Sequence, residues 1–152
     1  MTERYASRNI RVNNVNLRYL DWGTTGKMPL ICLHGNTRHA HIWDEFAETM
    51  SSQYHVYAID QRGHGESEWA VDGYHRDKYV SDLAAFMDSL YIESVVLVGL
   101  SMGGWNSLLY AADNPHRVER FIMVDIAPEG SSRLAERRQH WQPAPLEMDT
   151  FE

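Results

Sequence analysis

Residues 95–105 read Val95-Val96-Leu97-Val98-Gly99-Leu100-Ser101-Met102-Gly103-Gly104-Trp105, and the rest of the chain is interpreted from them. Four apolar, mostly β-branched residues run straight into Gly99, the pattern of a short strand buried on both faces. Residues 106–112 continue as a helix. Between the two stands Gly-x-Ser-x-Gly, and a strand before it with a helix after it is the context of a nucleophile elbow. The chain must reverse sharply while Ser101 holds a strained backbone, so positions 99 and 103 have no room for a side chain. The Ser101 hydroxyl is then expected above the end of the sheet, facing the N–H groups that open the next helix.

The neighbouring segments repeat the same alternation of strand and helix. Upstream, residues 77–90 place Tyr79, Leu83, Phe86, Met87 and Leu90 on one face of an amphipathic helix. Residues 54–60 read as a strand and 61–67 as a glycine-punctuated turn. Trp43, Phe46 and Met50 mark a helix near 42–50, and the uninterrupted apolar run Pro29-Leu30-Ile31-Cys32-Leu33 is another buried strand. Residues 7–12 and 15–22 alternate apolar and polar around Asn13-Asn14, the signature of a hairpin. Downstream, residues 118–125 are expected to form a further buried strand. The fold class is therefore α/β, a mostly parallel doubly wound sheet with a leading antiparallel hairpin. After Pro128 the character changes. Residues 131–141 are charged and helix-prone, and Pro143 and Pro145 interrupt them.

Composition narrows the function. The 152 residues are 43% hydrophobic and 23% charged, ordinary values for a globular chain. A net charge of −7 argues against nucleic-acid or anionic-membrane partners, which would want a basic face. The single cysteine, Cys32, sits inside an apolar strand and reads as a small buried hydrophobe. No run is long enough to span a membrane and the first residues have no signal-peptide character, so a cytoplasmic location is expected. No metal-ligand spacing stands out, and no cofactor is implied.

Three loops fall at the carboxyl ends of parallel strands, where open α/β sheets bind ligands: His34-Gly35-Asn36, Asp60-Gln61-Arg62-Gly63-His64-Gly65-Glu66-Ser67, and the stretch around Ser101. In order and spacing they resemble the α/β-hydrolase family over residues 7 to about 128. The resemblance implies an eight-stranded, mostly parallel sheet, a Ser–acid–His triad and often a helical cap. It makes Ser101 the nucleophile and assigns the oxyanion-hole N–H groups to Met102 and Asn36. It makes Asp60, Arg62 and His64 a structural turn, and a serine at 101 favours esters, lactones and related acyl substrates. Trp43 and Trp105 are candidates for the pocket wall, with core packing as the default for both.

The family's order is Ser, then acid, then His. Only His116 and His140 follow Ser101, and neither occupies the family position; Asp125, at the end of its strand, is a further candidate for the acid. The expectation is that residues 1–128 are the N-terminal part of the core and 129–152 the start of an incomplete cap, with the triad histidine and acid absent. The apolar run Phe121-Ile122-Met123-Val124 would then form an exposed edge suited to self-association. Three readings compete: a serine hydrolase of small acyl substrates, a non-catalytic ligand-binding or interaction protein on the same scaffold, and a half-enzyme completed by a second chain.

Overall fold

The first turn is set by two asparagines. Asn13 and Asn14 take left-handed φ values of 45° and 64°, the pair that a type I′ hairpin requires. Strands β1 (Ala6–Val12) and β2 (Val15–Asp21) therefore pair antiparallel, with Val12 opposite Val15. The computed structural model describes residues 4–23 and 25–125. The expected cap at 129–152, with His140, lies outside the described residues.

Beyond the hairpin come β3 (Pro29–Leu33), β4 (His55–Ile59), β5 (Val95–Leu100) and β6 (Val118–Val124). They form one sheet in the order β1-β2-β4-β3-β5-β6, parallel from β4 to β6. The connections carry α1 (Asp44–Met50), α2 (Arg76–Ser89) and α3 (Met102–Asp113). The helix expected near 42–50 opens as a 3-10 turn over Ala40–Trp43. Six strands lie within the described residues, against the eight that the family resemblance implies.

The uninterrupted apolar strands are explained by a core on each face. Along β3, Ile31 and Leu33 face a cluster with Tyr19, Leu83, Phe86 and Met87, while Leu30 and Cys32 face another with Trp43, Ala47 and Val98. Successive side chains alternate between the two, so neither parity can be polar. Trp43 belongs to the core, at 7% exposure. Cys32 is wholly buried, and burial pushes its thiol pKa far above the usual range.

Strand β6 stands where it was expected but is not buried. Phe121, Ile122 and Val124 are 40%, 49% and 38% exposed. Among the described residues β6 pairs with β5 alone, and its other edge has no strand beside it. Apolar composition expresses a demand for burial; meeting it takes neighbours on both sides, and among the described residues β6 has them on one.

Candidate active site

The bend between β5 and α3 is built by contact. A Cβ on Gly99 would overlap the backbone of Gly103 and come within 2.5 Å of the Gly104 nitrogen. A Cβ on Gly103 would run into the Leu33 carbonyl and lie 2.8 Å from that of His34. Both glycines are thus required by how closely α3 crosses β5 and the end of β3. Ser101 takes φ 48° and ψ −109°, a sparsely populated conformation for a residue with a side chain. Its N–H donates to the Val124 carbonyl at 3.0 Å, and its own carbonyl accepts from the Trp105 N–H at 3.1 Å, opening α3. The serine hydroxyl does not cap the helix. Among the described residues it has no hydrogen-bond partner.

The loop after β3 leans on this bend, since a Cβ on Gly35 would stand 3.4 Å from that of Ser101. Asn36 follows, and among the described residues its backbone N–H donates to no acceptor. Met102, the first residue of α3, has an N–H without an intrahelical acceptor. Asn36 and Met102 both line a cavity of about 360 Å³, together with Tyr74, Arg76, Tyr79, Trp105 and Asn106. Such a volume suits a small molecule. Arg76 holds its guanidinium 5.0 Å from the Trp105 ring centroid.

A buried polar relay supports the cavity from behind. The Gln61 N–H donates to His34 Nε2 at 3.0 Å, so the imidazole proton sits on Nδ1 and donates to the Gly35 carbonyl at 2.8 Å. A second proton has no place, and burial lowers the His34 pKa to about 4. The Gln61 amide donates to the His34 carbonyl at 2.7 Å and accepts from Asn106 Nδ2 at 2.7 Å. That chain fixes the orientation of every amide in it and leaves Asn106 Oδ1, buried, without a partner.

The turn at 60–67 is bound into the fold. The Asp60 carboxylate, fully buried, accepts from the Ala40 N–H (2.6 Å), the Glu66 N–H (3.0 Å) and Arg18 (3.1 Å). Arg62, also fully buried, forks onto Asp82 at 2.6 and 2.8 Å and reaches Asp72 at 2.9 Å. His64 donates from Nδ1 to the Arg62 carbonyl at 2.9 Å, and its Nε2 stands 3.4 Å from the Asn36 side-chain oxygen.

The sequence candidates separate as follows. Ser101, Met102 and Asn36 come together around one bend; Met102 and Asn36 line the adjoining cavity, and Ser101 is not among its lining residues. Asp125 follows β6 on the same side of the sheet, exposed, in a left-handed turn at φ 54°. His116 lies in the short helix Pro115–Arg117 that enters β6, at the far end of the sheet from Ser101. Trp105 is at the cavity wall. The sequence reading missed Arg76, Tyr74 and Asn106. A signal existed for Asn106, a polar residue followed by Ser107 on an otherwise apolar helix. None existed for Arg76.

Residues 28–147 match the family described as the alpha/beta hydrolase fold. The 3-hydroxybutyrate-oligomer hydrolase of Cupriavidus necator is 32% identical over 139 residues, covering 90% of this chain and 47% of that protein. An esterase of Mycobacterium tuberculosis is 34% identical over 128 residues, covering 83% and 42%. The crystal structure of an alpha/beta hydrolase from Novosphingobium aromaticivorans superposes with a TM-score of 0.82 at 30% identity, covering 91% of this chain and 50% of that one. The chain spans about half the length of the curated relatives it matches. It belongs to the α/β-hydrolase family.

Proposed function

We propose that this chain carries the nucleophile of an acyl hydrolase acting on an ester, lactone or related bond, with Ser101 as that nucleophile. In this reading residues 1–128 belong to the catalytic core and 129–152 begin a helical cap. The observation that carries it is the Ser101 backbone, held at φ 48° by contacts that exclude side chains at Gly99 and Gly103. A fold maintains such strain where geometry matters to chemistry.

The reaction follows from the groups around the bend. Ser101 Oγ bonds to the acyl carbon as its proton leaves to a base, and the carbonyl electron pair moves onto oxygen. The N–H groups of Met102 and Asn36 stabilise that oxyanion, each worth about 10²- to 10³-fold in rate. The carbon–oxygen bond to the leaving group then breaks, the alkoxide takes the proton, and water hydrolyses the acyl-serine. Among the described residues no imidazole bonds to the Ser101 hydroxyl, and His34 has both ring nitrogens engaged. The base therefore comes from outside them. That same observation favours the second reading, a ligand-binding protein on this scaffold.

Labelling by a fluorophosphonate, read by intact mass, separates the two. The hydrolase reading expects one adduct per chain, lost in Ser101→Ala, once the base is supplied, and weak or no labelling of these 152 residues alone. A folded protein that takes no label even with the base supplied, while binding a small ligand, unaltered by Ser101→Ala, supports the second reading.

A further inference from the structure

The cavity beside Ser101 departs from the rest of the molecule in its charge. The chain carries 21 acidic against 14 basic side chains, yet the residues lining this cavity include one cation, Arg76, and no carboxylate. Several arginines elsewhere are paired: Arg8 with Asp21, Arg11 with Glu68, Arg18 with Asp60, Arg62 with Asp82 and Arg117 with Asp88. Among the described residues the exposed side chain of Arg76 has no ion pair or hydrogen bond, as is also true of Arg38 and Arg120, but Arg76 alone of these three lines this cavity. The nearby Asp72 is occupied by Arg62 and Lys78, and Asp77, the next residue, does not line the cavity. The Arg76 guanidinium lies over the Trp105 face instead, a contact that orients it while leaving its N–H donors free.

Two further features share that wall. The cavity is reached by the first turns of both α2 and α3, whose dipoles favour negative charge there. Asn106, 1% exposed, is fixed in the wall by the relay through Gln61. A planar cation without an ion-pair partner, in a small cavity lined by no carboxylate, is the complement of a ligand with a carboxylate.

We infer that this site selects acyl substrates bearing a carboxylate, and that Arg76 is the residue that reads it. The inference rests on the hydrolase reading for the location of the reacting carbonyl, at Ser101. Trp105 lies four residues along α3 from Ser101, roughly 6 Å of helix rise, and the simplest ligand of this kind is a monoester of a short dicarboxylic acid. The guanidinium takes the carboxylate in a two-pronged hydrogen bond that a neutral isostere cannot form.

The test is a titration of the protein with succinate and with its neutral diamide, following the Trp105 indole N–H resonance, assigned with Trp105→Phe. Succinate is expected to shift that resonance and to bind at least tenfold more tightly than the diamide. Arg76→Gln is expected to weaken succinate at least tenfold, with partial recovery in Arg76→Lys. Equal affinity for the two ligands, succinate binding unchanged by Arg76→Gln, or shifts confined to other indoles would each overturn the inference. Repeating the titration on Ser101→Ala keeps it distinct from the hydrolase reading. Succinate binding that persists in a protein taking no fluorophosphonate label even with the base supplied defeats that reading alone. Labelling without succinate discrimination defeats this inference alone.

Discussion

Two glycine-rich loops leave the carboxyl ends of β4 and β5, strands separated in the sheet by β3, and they use their polar groups in opposite ways. In the loop at 60–67 the side chains of Asp60, Arg62 and Ser67 are buried and hydrogen-bonded within the fold. Around Ser101 the serine hydroxyl, the N–H of Asn36 and the guanidinium of Arg76 have no hydrogen-bond partner among the described residues. One loop holds the sheet together; the other is held by it, with its donors left available. Glycine content is alike in the two loops. Whether the polar groups are already engaged tells them apart.

The contrast breaks most visibly at Arg62. Arg62→Ala leaves Asp82 buried and unpaired, and such losses cost about 3–5 kcal/mol. Urea unfolding is expected to register that loss, with Arg62→Lys intermediate because a point charge cannot reproduce the fork. A result within 1 kcal/mol of wild type would show that the turn does not bear the fold.

Acid probes the relay behind the cavity. His34 has a folded pKa of about 4 against an ordinary 6.5, so between those values unfolded chains take up a proton that folded ones refuse. Its contribution is complete above pH 6.5 and is lost as pH falls toward 4, on the order of 3 kcal/mol in all. Urea midpoints measured from pH 7 to pH 4 should fall more steeply in wild type than in His34→Gln. Parallel curves would mean that the imidazole is not held neutral.

The smallest effect is expected at the serine itself, with the opposite sign. Ser101→Gly removes the side chain that makes φ 48° costly, and a gain of about 1 kcal/mol in stability is expected, with complete loss of labelling. Destabilisation instead would mean that the hydroxyl supports the fold after all.

Much of this was legible locally. Asn13-Asn14 announced the hairpin turn, and the apolar runs of β3 and β5 announced buried strands, because those features depend on neighbours in sequence. The glycines at 99 and 103 were legible too, although the atom that excludes a side chain at 103, the Leu33 carbonyl, lies 70 residues away. Features that depend on distant partners were not legible. For β6 the apolar run alone read as a buried strand, whereas the exposure of Phe121 and Ile122 is decided by what packs against them, as the expectation of an exposed edge allowed. Arg62 gave no hint of Asp82, nor His34 of Gln61. Arg76 sits at the start of an amphipathic helix, where an arginine is ordinarily solvated. Its interest arises only when Trp105 and Met102 arrive from another element.

The strand order also imposes a timetable on synthesis. The β1–β2 hairpin can close once residue 21 has emerged, but its place in the sheet waits for β4, through Tyr19 opposite Ile59. Strand β3 lies between β4 and β5, both made after it. From residue 59 to residue 99 the ribosome needs roughly two to eight seconds, during which one edge of β3 has no β5 to pair with. The Ser101 N–H finds its acceptor only with Val124. A nascent chain thus carries its serine for 23 residues before the acceptor that pins the Ser101 N–H has been made.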